Sequence, residues 1–288
     1  PPERSSVHYE CHGEVMEQVE DVQNALKELG HQVDTLSIGK NIKEELQFII
    51  GSPYDLIFNL CESILENSRL QASFTGFLEI ACIPFTGSGA EAILTAVNKY
   101  KAKVLLKKEG IPTPDGWLLR EGEQADRIVQ EIPLSSYPVI VKPNMEDGSI
   151  GLSQDSVAEN PDKLRFILNE RDRSYTGDRL IEQYIAGREF NIGYLGKNDL
   201  VALPVAEIRF KPSFPGRYRF LSYDAKWSKD SPEFEQYERI NSPDIPQSTL
   251  NQIVQFGKAA YKIIRLSGYG RVDFRMDESG NVYVIDVN

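Results

Sequence analysis

The sequence predicts a mixed protein, a parallel α/β unit in its first third followed by two α+β units. Three observations carry this. Helical and strand-like segments alternate up to about residue 96, which implies crossover connections and a parallel sheet. An apolar strand at 138–142 then runs straight into a glycine-bearing loop. Finally, residues 271–276 and 281–288 alternate in polarity around a turn, which reads as an antiparallel hairpin.

Taken in order, Val15, Val19, Val22, Leu26 and Leu29 recur at spacings of four and three, one face of a helix that Gly30 stops. A strand over 33–38, a helix over 42–50, a strand over 54–60, a helix over 70–81 and a short extended piece at 83–85 complete the first unit, residues 1–96. It opens on a helix where a strand is expected, and the chain stops on a strand without a turn; material is expected to be missing at both ends. The central unit, 97–178, begins with a basic helix at 99–109 that Gly110 and the prolines of Ile111-Pro112-Thr113-Pro114 close. Strands at 117–120 and 138–142, the glycine loop and a helix at 161–170 follow. The last unit, 179–288, holds a strand at 179–185, extended antiparallel chain to 210, an irregular aromatic stretch at 211–243, a strong helix at 247–266 and the hairpin.

Composition bounds the chemistry. A chain of 288 residues is long enough for two or three packed units. Its formal net charge of −11 argues against nucleic acid held by bulk charge, while leaving room for a local basic pocket that binds phosphate. No run reaches the roughly 18 apolar residues of a membrane span. Cys11, Cys61 and Cys82 are odd in number and far apart, so neither a disulfide framework nor structural zinc is expected, and a reducing, cytoplasmic setting is. The first residues lack a secretory pattern. His8, His12 and His31 stand away from any nucleophile motif, which argues against a hydrolase triad.

Three constellations remain. With a four-residue turn, simple alternation in the hairpin puts Arg271, Asp273 and Arg275 on one face with Val284, Asp286 and Asn288, and leaves Val272, Phe274, Met276, Tyr283, Ile285 and Val287 for the core. Three oxygen ligands beside two arginines suit Mg²⁺ or Mn²⁺; the bland reading is a solvated sheet face. Lys142, at a strand end above the glycine loop, is placed to meet phosphate. Lys99, Lys101 and Lys103 read as the outer face of a basic helix, and Lys226 lies in the aromatic stretch. The loop lacks P-loop spacing, and no GxGxxG is present. Finally, the strand-like run around Glu182, Gln183 and Ile185, followed by Glu189, offers backbone and carboxylates to a purine and ribose, or is an edge strand whose charges block aggregation.

The order of these motifs resembles the ATP-grasp superfamily, and within it the D-alanine:D-alanine ligase branch. The resemblance covers the chain from about Tyr54. It rests on Pro84-Phe85-Thr86-Gly87-Ser88-Gly89, Asn98-Lys99, the prolines after Gly110, Tyr137-Pro138-Val139-Ile140-Val141-Lys142-Pro143, the loop from Glu146 to Gly151, the run from Leu180 to Glu189, Tyr223-Asp224-Ala225-Lys226, Gly270-Arg271-Val272-Asp273 and Ile285-Asp286-Val287-Asn288. It implies an N-terminal α/β domain and two α+β domains that clasp ATP. It also implies Lys99 and Lys142 on the nucleotide phosphates, and Asp147, Gly148, Ser149 and Gly151 in the loop that closes over them. Glu182, the backbone of Gln183 and Ile185, and Glu189 would meet adenine and ribose. Lys226 would hold the γ-phosphate, Arg271 would stabilise the anionic intermediate, and Asp273, Asp286 and Asn288 would hold two Mg²⁺ or Mn²⁺ ions, with Asp286 where glutamate is commoner.

The implied reaction joins a carboxylate to an amine through an acyl phosphate, releasing ADP and phosphate. Homodimerisation through the N-terminal unit is also implied, with small amino acids or peptides as substrates. The first-substrate half departs from the pattern: the family's loop serine is Gly148, the tyrosine after its γ-phosphate lysine is Trp227, and its HGxxGEDG stretch is replaced by residues 59–67. The sequence therefore points to a related ligase with a different amino-acid or peptide substrate. A true D-alanine:D-alanine ligase and a non-catalytic ATP-binding module are the alternatives.

Overall fold

The computed structural model describes residues 9–65, 67–171 and 176–288. His8 and Glu66, and the side chains of Cys11 and His12, lie outside the described residues. The chain divides into two compact units, Pro1–Ala90 and Glu91–Asn288.

In the first unit, α1 (Tyr9–Glu28) ends as its sequence requires. Gly30 takes φ +89°, and the bonds Gly30 N to Lys27 O and His31 N to Leu26 O close the last turn. After α2 (Ile42–Gly51) and α3 (Leu70–Ile80), Ile49, Ile64, Phe74 and Leu78 form a small core with Ile57 and Phe85 packed on it. The strands expected at 33–38 and 54–60 are not continuous strands. Ile57 alone bridges Phe85, in parallel, through Ile57 N to Pro84 O at 2.9 Å and Thr86 N to Ile57 O at 3.0 Å. Parallel pairing gains its bonds from flanking neighbours, and among the described residues 33–38 has none, so it stays unpaired.

The second unit carries two antiparallel sheets. α4 (Ala90–Val97) and α5 (Lys99–Lys108) lead into β1 (Gly116–Leu119), α6 (Ala125–Glu131), β2 (Val139–Pro143), β3 (Val157–Ala158), α7 (Pro161–Phe166) and β4 (Arg179–Gln183). These strands form a sheet in the order β1-β4-β2-β3, and Leu119, Ile128, Val139, Val141, Leu164 and Ile181 make its core against α6 and α7. β4 is thus a central strand of this sheet. That corrects two sequence expectations: β4 is no edge, and it does not belong with the segment after residue 178.

The second sheet comprises β5 (Arg188–Leu195), β6 (Val201–Ala202), β7 (Ala206–Phe210), β8 (Tyr237–Asn241), β9 (Tyr269–Met276) and β10 (Val282–Val287), in the order β10-β9-β5-β7-β8 with β6 beside β5. Between β7 and β8 lies the short α8 (Tyr223–Lys226), and α9 (Gln247–Ile264) covers one sheet face, where Phe190, Ile192, Tyr194, Val272, Phe274 and Val284 are buried.

The hairpin register corrects a third expectation. Tyr283 pairs with Arg275 and Val284 with Phe274, so Val284 faces the core and Tyr283 does not. A bulge between Val284 and Asp286 then shifts the register by one residue, and Asp286 comes opposite Asp273. Strict alternation misplaces Tyr283 and Val284 because it has no room for the extra residue, Ile285.

Candidate active site

The uncovered face of the larger sheet, the glycine loop and the chain beyond β4 line one cleft, all within the second unit. Asn144, buried just after β2, ties the strand end to α5. Its carbonyl accepts Lys99 N at 3.0 Å, its Oδ1 accepts Tyr100 N at 2.9 Å, and its Nδ2 donates to Asn98 Oδ1 at 3.2 Å. Asn98 in turn caps α5 by accepting Lys101 N at 3.0 Å. These bonds nail the start of α5 to the strand end that carries Lys142.

Lys99 and Lys103 are 8% and 6% exposed, so the inner face of α5, not only its outer one, is basic. Four residues apart, they share that face. Lys99 Nζ lies 2.9 Å from Asp147 Oδ1 and 3.3 Å from Asp286 Oδ2. Burial opposes its charge, but the two carboxylates outweigh burial and raise its pKa. Lys103 Nζ is 2.6 Å from Glu182 Oε2, and Lys142 takes Oε1 of the same carboxylate. Burial pushes the Glu182 carboxyl up, yet the two ammoniums overcome this and hold it at about 2. Burial also holds Lys103 below the ordinary lysine range. Two ammoniums on one carboxylate leave a net positive charge in a buried place, a standing attraction for an anion.

Glu182 thereby spends both carboxylate oxygens on lysines. Glu189 offers a further carboxylate, with Oε2 held by Arg275 Nη1 at 2.9 Å. Beyond β4, Gln183 N donates to Asp115 O at 2.8 Å and Tyr184 N to Pro138 O at 2.9 Å. The N–H of Ile185 has no hydrogen-bond partner among the described residues. With Ile140, Leu152, Phe220 and Ile285 also lining the cleft, this region is apolar with a free backbone donor, as a flat heterocycle requires.

On the sheet, Arg271 reaches Asp273 through two bonds of 2.7 and 3.0 Å, and Asn288 Nδ2 lies 3.3 Å from Asp273 Oδ2. Asp273, Asp286 and Asn288 supply only oxygen ligands from adjacent strands, a donor set that fits Mg²⁺ or Mn²⁺. The Lys226 ammonium makes neither a hydrogen bond nor an ion pair among the described residues. Burial, reinforced by the Arg271 charge, lowers its pKa.

The glycine loop is fastened to the aromatic stretch. Trp227 Nε1 donates to Gly148 O at 2.8 Å, Ser149 Oγ to Leu221 O at 2.8 Å, and Tyr223 N to Leu152 O at 2.9 Å. Gly148, Ser149 and Gly151 all have φ between +62° and +75°, and a Cβ on Gly151 would lie 3.0 Å from Pro143 Cγ, so the loop needs glycine there. Asp147, Gly148, Ser149, Lys99, Lys142 and Lys226 are thus brought to the same cleft as Arg271 and the three oxygen ligands, while Gly151 packs behind the loop against Pro143. Sequence reasoning missed Lys103, Asn144 and the role of Arg275. Lys103 carries a signal in its spacing of four from Lys99, and Arg275 in its alternation with Arg271 and Asp273; Asn144 carries none.

The chain is similar to proteins of one known family. The family model "D-ala D-ala ligase C-terminus" matches residues 105–288, more than half of the chain. The D-alanine–D-alanine ligase of Geobacter sulfurreducens is 29% identical over 268 residues, 93% of this chain and 76% of that protein. The corresponding ligase of Carboxydothermus hydrogenoformans is 32% identical over 270 residues, 92% and 79% of the two chains. Among solved structures, the D-alanine–D-alanine ligase of Bacillus anthracis has a TM-score of 0.71 at 22% identity, over 95% of this chain and 81% of that one. For the ligase of Coxiella burnetii the TM-score is 0.62 at 22% identity, over 81% of this chain, which there spans 58% of the ligase. The fold is therefore that of the ATP-grasp ligases, and the chain belongs to the D-alanine–D-alanine ligase family.

Proposed function

We propose that the chain is an ATP-dependent carboxylate–amine ligase that forms an amide or peptide bond through an acyl phosphate. The observation that carries this reading is the convergence of Lys99, Lys142, Lys226 and Arg271 on one cleft with Asp273, Asp286 and Asn288. Lys99 and Lys142 hold the nucleotide phosphates, and the loop with Asp147, Gly148, Ser149 and Gly151 covers them. The Gln183 and Ile185 backbone and Glu189 take adenine and ribose. Asp273, Asp286 and Asn288 hold two Mg²⁺ or Mn²⁺ ions, which when bound neutralise phosphate charge.

In the first step a carboxylate oxygen of the substrate attacks the γ-phosphorus, and the bond to the β–γ bridging oxygen breaks, releasing ADP. Lys226 stabilises the charge on the transferred phosphoryl group. An amine nitrogen then attacks the acyl carbon, Arg271 stabilises the oxyanion, and phosphate leaves. The two sheets act as the two lobes of an ATP clasp, residues 1–96 form the substrate domain and the site of dimerisation, and the setting is cytoplasmic.

Gly148 and Trp227 support a substrate other than D-alanine, an amino acid or peptide, because the indole N–H is already spent on the Gly148 carbonyl. The names of the relatives favour a second reading, a true D-alanine:D-alanine ligase. Product mass from Mg²⁺-ATP with D-alanine alone, against a panel of D- and L-amino acids and dipeptides, separates the two. Lys226→Ala and Asp273→Ala are expected to abolish ADP formation, and turnover retained in either would sink the ligase reading.

A further inference from the structure

We propose that Arg275 is a positioning residue for the nucleoside half of the nucleotide, acting through the turn that carries Ile185 and Glu189. The proposal rests on the nucleotide reading of the cleft given above.

Arg275 lies on β9 directly across from Glu189 on β5 and from Tyr283 on β10. It is 4% exposed, unusual for a guanidinium, and it directs its donors at one turn. Nε donates to Ile185 O at 2.5 Å, Nη2 to Gly187 O at 3.2 Å and Nη1 to Glu189 Oε2 at 2.9 Å. The guanidinium carbon also stands 5.1 Å from the centre of the Tyr184 ring. A second tie secures the same turn: Gly187 has φ +131°, and a Cβ there would collide with the Met276 carbonyl. Two successive β9 residues therefore pin the turn.

The consequence is specific to the nucleoside. With its carbonyl held by Arg275, Ile185 keeps its N–H without a partner, and Glu189 keeps Oε1 without one. The rigid fork of arginine can hold three oxygens at once, which a lysine ammonium on a flexible stem cannot. The phosphate lysines sit on α5, β2 and α8, and among the described residues none of them makes an ion pair with this turn. Loosening it should leave triphosphate binding alone.

The test is direct binding, by calorimetry with Mg²⁺, of ATP, 2′,3′-dideoxy-ATP and inorganic triphosphate to the wild-type chain and to Arg275→Met. In the variant, ATP affinity should fall about tenfold or more, as loss of charge-assisted bonds predicts. Preference for ATP over the dideoxy nucleotide should collapse, and triphosphate affinity should not change. Arg275→Lys retains the buried cation and provides a second variant should the methionine form not fold; it should show the same collapse with a smaller loss of ATP affinity. Wild-type affinity and ribose preference retained in either variant overturn the proposal alone. Failure of the wild-type chain to bind ATP overturns both it and the nucleotide reading.

Discussion

Replacing Glu182 by glutamine tests the buried charge cluster on which the cleft is built. The carboxylate is 2% exposed and faces two ammoniums, Lys103 and Lys142. Its pKa moves from an ordinary 4.5 to about 2, which at about 1.4 kcal/mol for each pH unit corresponds to roughly 3 kcal/mol of stability. Breaking a buried pair by removing one partner costs about 3–5 kcal/mol, so the two routes agree. For a unit of this size, that is a fall of about 6–12 °C in melting temperature. Because the folded pKa is depressed, the contribution is complete above about 4.5 and disappears as pH falls toward about 2. Both tryptophans, Trp117 and Trp227, lie in the unit that holds the cluster, so urea unfolding followed by their fluorescence reads it directly. The wild type should exceed Glu182→Gln by roughly 3 kcal/mol at pH 7, with the gap shrinking below pH 4.5. Changing Lys103 to Met in the Glu182→Gln background should recover part of the loss, since it removes an uncompensated cation. A gap under about 1 kcal/mol, or one that does not respond to acid, would refute the reasoning.

Trp227→Phe keeps an aromatic ring, smaller than the indole, and deletes the donor to Gly148 O, so amide exchange across residues 146–152 should quicken about fivefold, the equivalent of about 1 kcal/mol; unchanged exchange would contradict the latch. Asp273→Asn removes one of two carboxylates from the proposed metal face, and Mn²⁺ titration in the presence of a non-hydrolysable ATP analogue should weaken by at least about tenfold. Burial and then Arg271 lower the Lys226 pKa, so if its ammonium is required, turnover should fall on the alkaline side below pH 10.5. Lys226→Arg should move that limb upward, and a limb in the same place would show that another group titrates.

Local pattern makes much of this molecule legible in its sequence. The periodicity of α9, the turn at Gly30 and the alternation that puts Arg271, Asp273 and Arg275 on one face all follow from nearest neighbours along the chain. What pattern could not reach depends on residues distant in sequence. Lys103 reads as part of a solvated basic helix until Glu182 arrives from a strand some eighty residues later. Asn144 looks like a loop residue, although it joins β2 to α5. The bulge at Ile285 has no signature in a run of alternating apolar residues, yet it decides which of Tyr283 and Val284 enters the core. β4 carries the residues of an edge, but it becomes a central strand because β1 and β2 flank it.

The central claim is that this cleft activates a carboxylate by phosphorylation. It is tested most directly by supplying Mg²⁺-ATP with carboxyl-¹⁸O-labelled amino acids, singly and in pairs, and following the label by mass. Label appearing in the released phosphate, with ADP and a dehydrated product in equal amount, is the result predicted. Product formed with no label in the phosphate, or ATP cleaved at a rate that no amino acid or peptide alters, would contradict it.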